Sequence, residues 1–279
     1  MTEILEITFK RERRGYYLNP SNIPVRVGEF AIVAAERGED MGRVAQKGML
    51  TEPKKKKKSL ENVLRKATEE DGKKLQEIRD KEEGIFRTCK AKIDEHGLVM
   101  KLVDVEYRFD GHKITFYFTA DKRIDFRALV KDLAAIYRTR IEMHQIGVRE
   151  EARRIGGYGC CGLKLCCTTF VEDFDPITTQ MAKDQHLILT PSKLSGACGR
   201  LMCCLSYEWN VYKEEMKHFP EIGKKITTEK GKAKIERADI FRNLIFISYE
   251  EGGEEKITLE QYKKLEKGKK EGVKSTNSV

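Results

Sequence analysis

Residues 101–146 read KLVDVEYRFDGHKITFYFTADKRIDFRALVKDLAAIYRTRIEMHQI, and the succession of patterns in this stretch decides the fold class. LVDVEYRF and KITFYFT are β-rich runs flanking Asp110-Gly111, a pair able to take the positive φ angles of a tight hairpin. Asp125 then caps a helix that carries Phe126, Leu129, Val130, Leu133, Ala134 and Tyr137 on one face. TRIEMHQI, 139–146, returns as a strand. Upstream, Thr68 followed by Asp71 caps another helix, with Leu75, Ile78, Ile85, Phe86, Cys89 and Ile93 on its apolar face and Gly97 at its end. Helix, hairpin, helix and strand make an α+β domain, a mixed sheet with helices on one face.

Outward from this centre the patterns change. Residues 1–50 read as strands and turns, with two apolar runs around Gly38. Pro53 and five successive lysines mark a basic linker over 51–58. Leu60, Val63, Leu64 and Ala67 keep the spacing of a helix face, so the α+β domain is expected to run from 59 to 219, closing on a helix over 206–219. From 220 to 265, short β-rich runs with Gly and Asn turns predict a small SH3-like β-barrel. The Lys- and Gly-rich residues 266–279 predict a disordered basic tail.

The chain has 279 residues and a net charge of +9, with 39% apolar residues, enough for a sizeable core. Wholesale disorder is thereby excluded. No apolar run approaches the ~18 residues of a membrane span, and the start MTEILEITFKRERR lacks the apolar block of a signal peptide. A soluble, cytoplasmic protein is expected.

Seven of the eight cysteines cluster at 160, 161, 166, 167, 198, 203 and 204. Cys161-Gly-Leu-Lys-Leu-Cys166-Cys167 and Cys198-Gly-Arg-Leu-Met-Cys203-Cys204 repeat one string, C-G-x-x-x-C-C, 37 residues apart. In a long chain with no export signal such clustering points to metal or thiol chemistry rather than disulfides. Adjacent cysteines cannot both face one point, so Cys161, Cys166, Cys198 and Cys203 are the metal-ligand candidates for one tetrahedral site. Thiolate sulfur suits zinc, copper(I) and iron–sulfur clusters, and the C-x₄-C step is compatible with zinc or with iron–sulfur ligation. Cys89, on an apolar helix face, reads as a core residue. Gly157, Gly159 and Gly162 fit G-x-G-x-x-G without the strand that a dinucleotide site needs before it. The five histidines are scattered and no acid–base pair is visible, so no enzyme activity is expected.

The cysteine strings, MAKDQHLILTPSKLSGACGRLMCCLSYE and the stretch from Met100 to Arg153 together resemble the RicT/YaaT family of bacterial regulatory proteins, which share a PSP-type C-terminal domain. The resemblance covers residues 1 to about 210. It implies a complex with two small helical proteins, RicA and RicF, that carries [4Fe–4S] clusters and works with the endoribonuclease RNase Y in maturing messenger RNAs. In spore formers it also implies effects on sporulation, competence and biofilm formation. By the same likeness Cys161, Cys166, Cys167, Cys198, Cys203 and Cys204 are cluster ligands, some sets completed across chains. Cys160 stands where many relatives carry Pro.

Basic residues gather elsewhere: Lys54 to Lys58, eight against five acidic over 213–237, and six against two over 263–274. With Phe241, Phe246 and Tyr249 such patches would suit RNA phosphates and bases, although a solvated Lys/Glu surface with core aromatics is the better account of them. An iron–sulfur adaptor in RNA processing therefore leads. A zinc-stabilised nucleic-acid-binding module without catalytic activity is second, and a thiol oxidoreductase third.

Overall fold

The computed structural model describes residues 3–49, 60–171 and 173–274; the expected linker and the residues after Lys274 lie outside them. The chain divides into two compact units, Met1–Phe170 and Val171–Val279. The expected domain over 59–219 is thus shared between the two.

In the first unit, β1 (Glu3–Thr8), β2 (Arg14–Asn19), β3 (Phe30–Ala35), β4 (Gly38–Met49) and β5 (Val63–Lys66) form an antiparallel sheet in the order β2-β1-β4-β3-β5. A 3-10 turn, Lys10–Glu12, joins β1 to β2. One face carries Leu5, Ile7, Phe9, Ala31, Val33, Val44 and Val63 into a core. The residues expected to open a helix, Val63 and Leu64, instead lie in β5, which pairs with β3. Four residues suit either period, and burial of Val63 in the sheet core, with Leu64 left exposed, selects the strand.

The helix α1 (Glu69–Glu95) begins at the expected capping box: Thr68 accepts the Asp71 N–H, and the Asp71 carboxylate accepts the Thr68 N–H at 2.8 Å. It ends before Gly97, whose φ is +60°. The strands β6 (Lys101–Tyr107) and β7 (Lys113–Thr119) form the expected hairpin, with positive φ at Gly111 alone. The helix α2 (Arg127–Tyr137) follows, its cap position taken by Phe126, while Asp125 accepts the Arg127 N–H from one residue earlier. The strand β8 (Arg140–Gln145) then pairs parallel to β7, giving the predicted mixed sheet. Ile85, Cys89 and Ile93 from α1 and Leu129 and Leu133 from α2 cover one face of it, against Val105, Ile114 and Phe116.

The other face of this sheet is charged. Lys10 reaches Glu82 at 2.8 Å and Asp104 at 2.9 Å, while Arg13 reaches Asp40 at 2.8 Å and Glu106 at 2.7 Å. Tyr117 Oη donates to Glu106 at 2.9 Å, and the Arg154 guanidinium lies 3.4 Å from the Tyr117 ring centre. At the sheet's end Arg108 donates to the carbonyls of Glu36 and Arg37, and Asp110 accepts the Glu39 N–H. These bonds fasten the β3–β4 turn to the β6–β7 turn. The helix α3 (Val148–Ile155) and the short α4 (Cys166–Thr169) complete the unit.

In the second unit, α5 (Thr179–Asp184), α6 (Pro191–Leu194) and α7 (Cys203–Met216) pack around Ala182, Leu194 and Leu205. The helix expected over 206–219 starts earlier, at Cys203. The strands β9 (Lys225–Thr228), β10 (Gly231–Asp239), β11 (Leu244–Tyr249) and β12 (Glu254–Thr258) form an antiparallel sheet in the order β12-β11-β10-β9. Where a closed SH3-like barrel is expected, the chain has this open meander, with β9 and β12 at its edges. Its core comprises Ile226, Ala233, Ile235, Ile245, Ile247 and Ile257. The helix α8 (Leu259–Lys274) occupies most of the stretch expected as a disordered tail. It is anchored at its start, where Tyr262 is buried against the sheet.

Candidate metal-binding loops

Two loops carry the repeated cysteine string, one in each unit, and each holds itself in shape by the same set of backbone bonds. In the first, Gly159 N donates to Leu163 O at 2.8 Å, Gly162 N to Gly159 O at 3.0 Å, Leu165 N to Gly157 O at 3.1 Å and Thr168 N to Leu165 O at 2.9 Å. In the second, Gly196 N donates to Arg200 O at 2.8 Å, Gly199 N to Gly196 O at 2.9 Å, Met202 N to Leu194 O at 2.9 Å and Leu205 N to Met202 O at 3.2 Å. Every donor and acceptor corresponds at an offset of 37 residues.

The Cys-Gly pair explains the turn. Gly162 and Gly199 have φ of +78° and +72°, the left-handed region that a side chain would strain. Leu165 and Met202 then take nearly equal extended angles, and Cys166 and Cys203 each begin a helix. The later thiols therefore stand at helix starts. Cys161 folds back over its loop: a Cβ placed on Gly159 would lie 3.2 Å from its Sγ.

Cys161, Cys166 and Cys167 stand in the first unit, and Cys198, Cys203 and Cys204 in the second. Cys160 and Cys161 are exposed, Cys167 is buried, and Cys166, Cys198, Cys203 and Cys204 are half-buried. Among the described residues no group of three or more His, Cys, Asp or Glu side chains is gathered around one point. The donors fit a sulfur-ligated group in kind, since each loop offers thiols at equivalent positions. In the second unit Nε2 of His186 is also buried without a hydrogen-bond partner, a nitrogen that its isolated place in the sequence gave no reason to single out. Burial holds the His186 ring below the usual imidazole range, with Arg237 adding to the effect and Asp184 opposing it.

The remaining cysteine behaves as expected of a core residue. Cys89 is fully buried between α1 and the mixed sheet, and burial pushes its thiol up to about 12. In native protein at about pH 8, iodoacetamide is expected to alkylate Cys161 while sparing Cys89 until the chain unfolds, because the thiolate is the nucleophile. Peptide mass mapping checks this, and early modification of Cys89 would contradict it.

The C-terminal aromatic groups are differently placed. Phe241 is exposed and meets Tyr212 edge to face at 5.4 Å. Phe246 has Arg237 4.1 Å and Lys256 5.4 Å from its ring centre, and Tyr249 donates to Glu255 at 2.5 Å. Lys224, Lys225, Lys230 and Lys234 pair with Glu266, Glu250, Glu255 and Glu236. Much of this basic surface is therefore internally compensated. Among the described residues no helix is long and apolar enough to cross a membrane.

A cysteine-bearing α+β chain of this layout is a PSP1-type protein: the PSP1 C-terminal conserved region matches residues 61–146, and the third domain of PSP1-like proteins matches 176–219. The stage 0 sporulation protein YaaT of Bacillus subtilis is 42% identical over 245 residues, 88% of this chain and 89% of that protein. The chain belongs to the YaaT family. An uncharacterized protein of Schizosaccharomyces pombe is 31% identical over 166 residues, 49% of this chain and 22% of its own length. Protein PSP1 of Saccharomyces cerevisiae is 38% identical over 71 residues, 25% of this chain and 8% of its own. No solved structure matches.

Proposed function

We propose that this chain is an iron–sulfur-binding regulatory adaptor, acting with RicA- and RicF-like small helical proteins and RNase Y in messenger RNA processing. The observation that carries the reading is the pair of cysteine loops sharing one hydrogen-bonded frame, in a chain 42% identical to a protein named for sporulation. Cys161, Cys166 and Cys167 would hold such a group in the first unit, and Cys198, Cys203 and Cys204 in the second, with ligand sets completed by thiols from partner chains. A bound [4Fe–4S] cluster would supply a redox-responsive charge and a cross-link to the partner chain. The residues would supply the rest: glycine turns shape the loops that carry the thiols, and a small core supports the second loop. Metal binding and ordering of the site would be coupled.

Purification without oxygen, together with the two helical partners, is expected to give brown protein containing iron and acid-labile sulfide. Cys203→Ser should lose most of the iron attributable to its loop while leaving the fold intact. Colourless, zinc-loaded protein would favour a zinc-stabilised nucleic-acid-binding module instead. Absence of both iron and sulfide in the assembled complex would refute the iron–sulfur reading.

A further inference from the structure

The five-stranded sheet carries a second candidate site, made of residues outside the two cysteine strings. Its strand registers align Arg14 opposite Thr8, Thr8 opposite Arg43, and Arg43 opposite Phe30. Partners opposite one another in antiparallel strands share a face, so these four residues form one row across β2, β1, β4 and β3. With neighbouring strands ~4.8 Å apart the row is roughly 14 Å long.

The helix α1 covers only part of this face. Ile78 packs on Ile32 and Met41, whereas the row lies uncovered beside Leu75 and Arg79. The result is a cavity of about 510 Å³ lined by all four row residues, by Leu75 and Met41, and by Lys10, Arg79 and a single carboxylate residue, Glu12. Its volume lies within the ~300–1,000 Å³ usual for small-molecule sites.

The cations are not equivalent. Lys10 is taken up by Glu82 and Asp104, Arg79 by Glu82, and Arg14 by Glu6. Arg43 is different: among the described residues it pairs with no carboxylate, and its Nε donates to the Gly28 carbonyl at 3.0 Å. That bond fixes the guanidinium plane and leaves both terminal nitrogens available. Directly across the ladder stands Phe30, 42% exposed, an aromatic face at the rim of a cationic cavity.

We propose that this cavity binds a nucleoside diphosphate, with its phosphates on Arg43 and the neighbouring Thr8 hydroxyl and its base stacked on Phe30. An oriented, uncompensated guanidinium suits the paired oxygens of a phosphate. The Thr8 hydroxyl, opposite Arg43 in the row, supplies a further donor. One strand step separates the phosphate site from the aromatic ring, so a ribose can bridge them. A longer polyanion would not need a bounded cavity.

Calorimetric titration of the full chain with ADP, inorganic pyrophosphate and a short oligouridylate tests the proposal. ADP is expected to bind in the micromolar range. Arg43→Gln should weaken ADP and pyrophosphate by about tenfold or more, the scale of one charge-assisted contact. Phe30→Ala should weaken ADP by about fivefold or more, in the range of base–aromatic stacking, and leave pyrophosphate unchanged. Both side chains are exposed, and unchanged melting of each variant would show that the fold is intact. No ADP binding at about 1 mM, unchanged affinity in Arg43→Gln, or equal loss of both ligands in Phe30→Ala would overturn the assignment. Binding of the oligouridylate without ADP would overturn it in favour of an RNA surface.

Discussion

Replacing Arg13 with methionine is expected to destabilise the first unit by about 3 kcal/mol, seen as a fall in melting temperature of roughly 10 °C. Arg13 bridges Asp40 and Glu106, whose side chains retain only 12% and 9% of their accessible surface. Without the guanidinium two buried carboxylates face one another, and the cost is that of stranded charge rather than of a lost contact. Because Arg13 itself is 34% exposed, water would relieve part of this, which places the effect at the lower end of the range for buried pairs.

The pH dependence gives the prediction its signature. Burial drives Glu106 upward, but Arg13 outweighs it and holds the carboxyl below its usual range. Its stabilising contribution is therefore present above the unfolded carboxylate value, ~4.3, and is lost as pH falls. Asp40 stays above its usual range because burial exceeds the attraction of Arg13. In the variant both carboxyls would rise above their unfolded values, so stability would fall as pH rises through them. The gap between variant and natural protein should therefore be widest near pH 7 and narrow toward about pH 4.5. Urea unfolding at the two pH values measures it, and an equal gap at both would rule out this account.

A second large effect is expected from Leu205→Ala. Leu205 is 2% exposed and shares a small core with Ala182 and Leu194. Its carbonyl accepts Gln185 Nε2 at 2.6 Å, and its N–H closes the second cysteine loop onto Met202. The cavity left by the truncation should cost about 3 kcal/mol. So few residues share this core that the loss should fall on the loop itself. Hydrogen exchange is expected to accelerate over residues 177–209 and to stay unchanged in β6 and β7. Uniform acceleration throughout the chain would contradict the view that this core is a local support.

The sequence made the centre of the fold legible because its signals there are local. The Thr68–Asp71 box, the Asp110-Gly111 turn and the α2 stripe each lie within one element, and all three are found where expected. What was missed is non-local. Val63 and Leu64 fit a helix stripe as well as a strand, and pairing with β3 some thirty residues upstream decided between them. Asp104 and Glu106 alternate with apolar neighbours as on a wetted face, yet both are buried against cations from the β1–β2 corner. No periodicity within β6 encodes Lys10 or Arg13. For the cysteine loops the repeat and the glycine turns were legible. The four matching backbone bonds and the early start of α7 at Cys203 were not, because adjacent cysteines carry little helix signal of their own.

The clasp between the β3–β4 and β6–β7 turns bears on where this protein can be cut. Residues 61–146 match a family domain, and a sequence comparison would treat them as a portable module. Excised, that segment would take β5 away from its partner β3 and leave Arg108 without the Glu36 and Arg37 carbonyls. Glu82, Asp104 and Glu106 would likewise lose Lys10 and Arg13. The heritable unit and the cooperative unit are thus different lengths of chain: the first begins near residue 61, and the second needs β1.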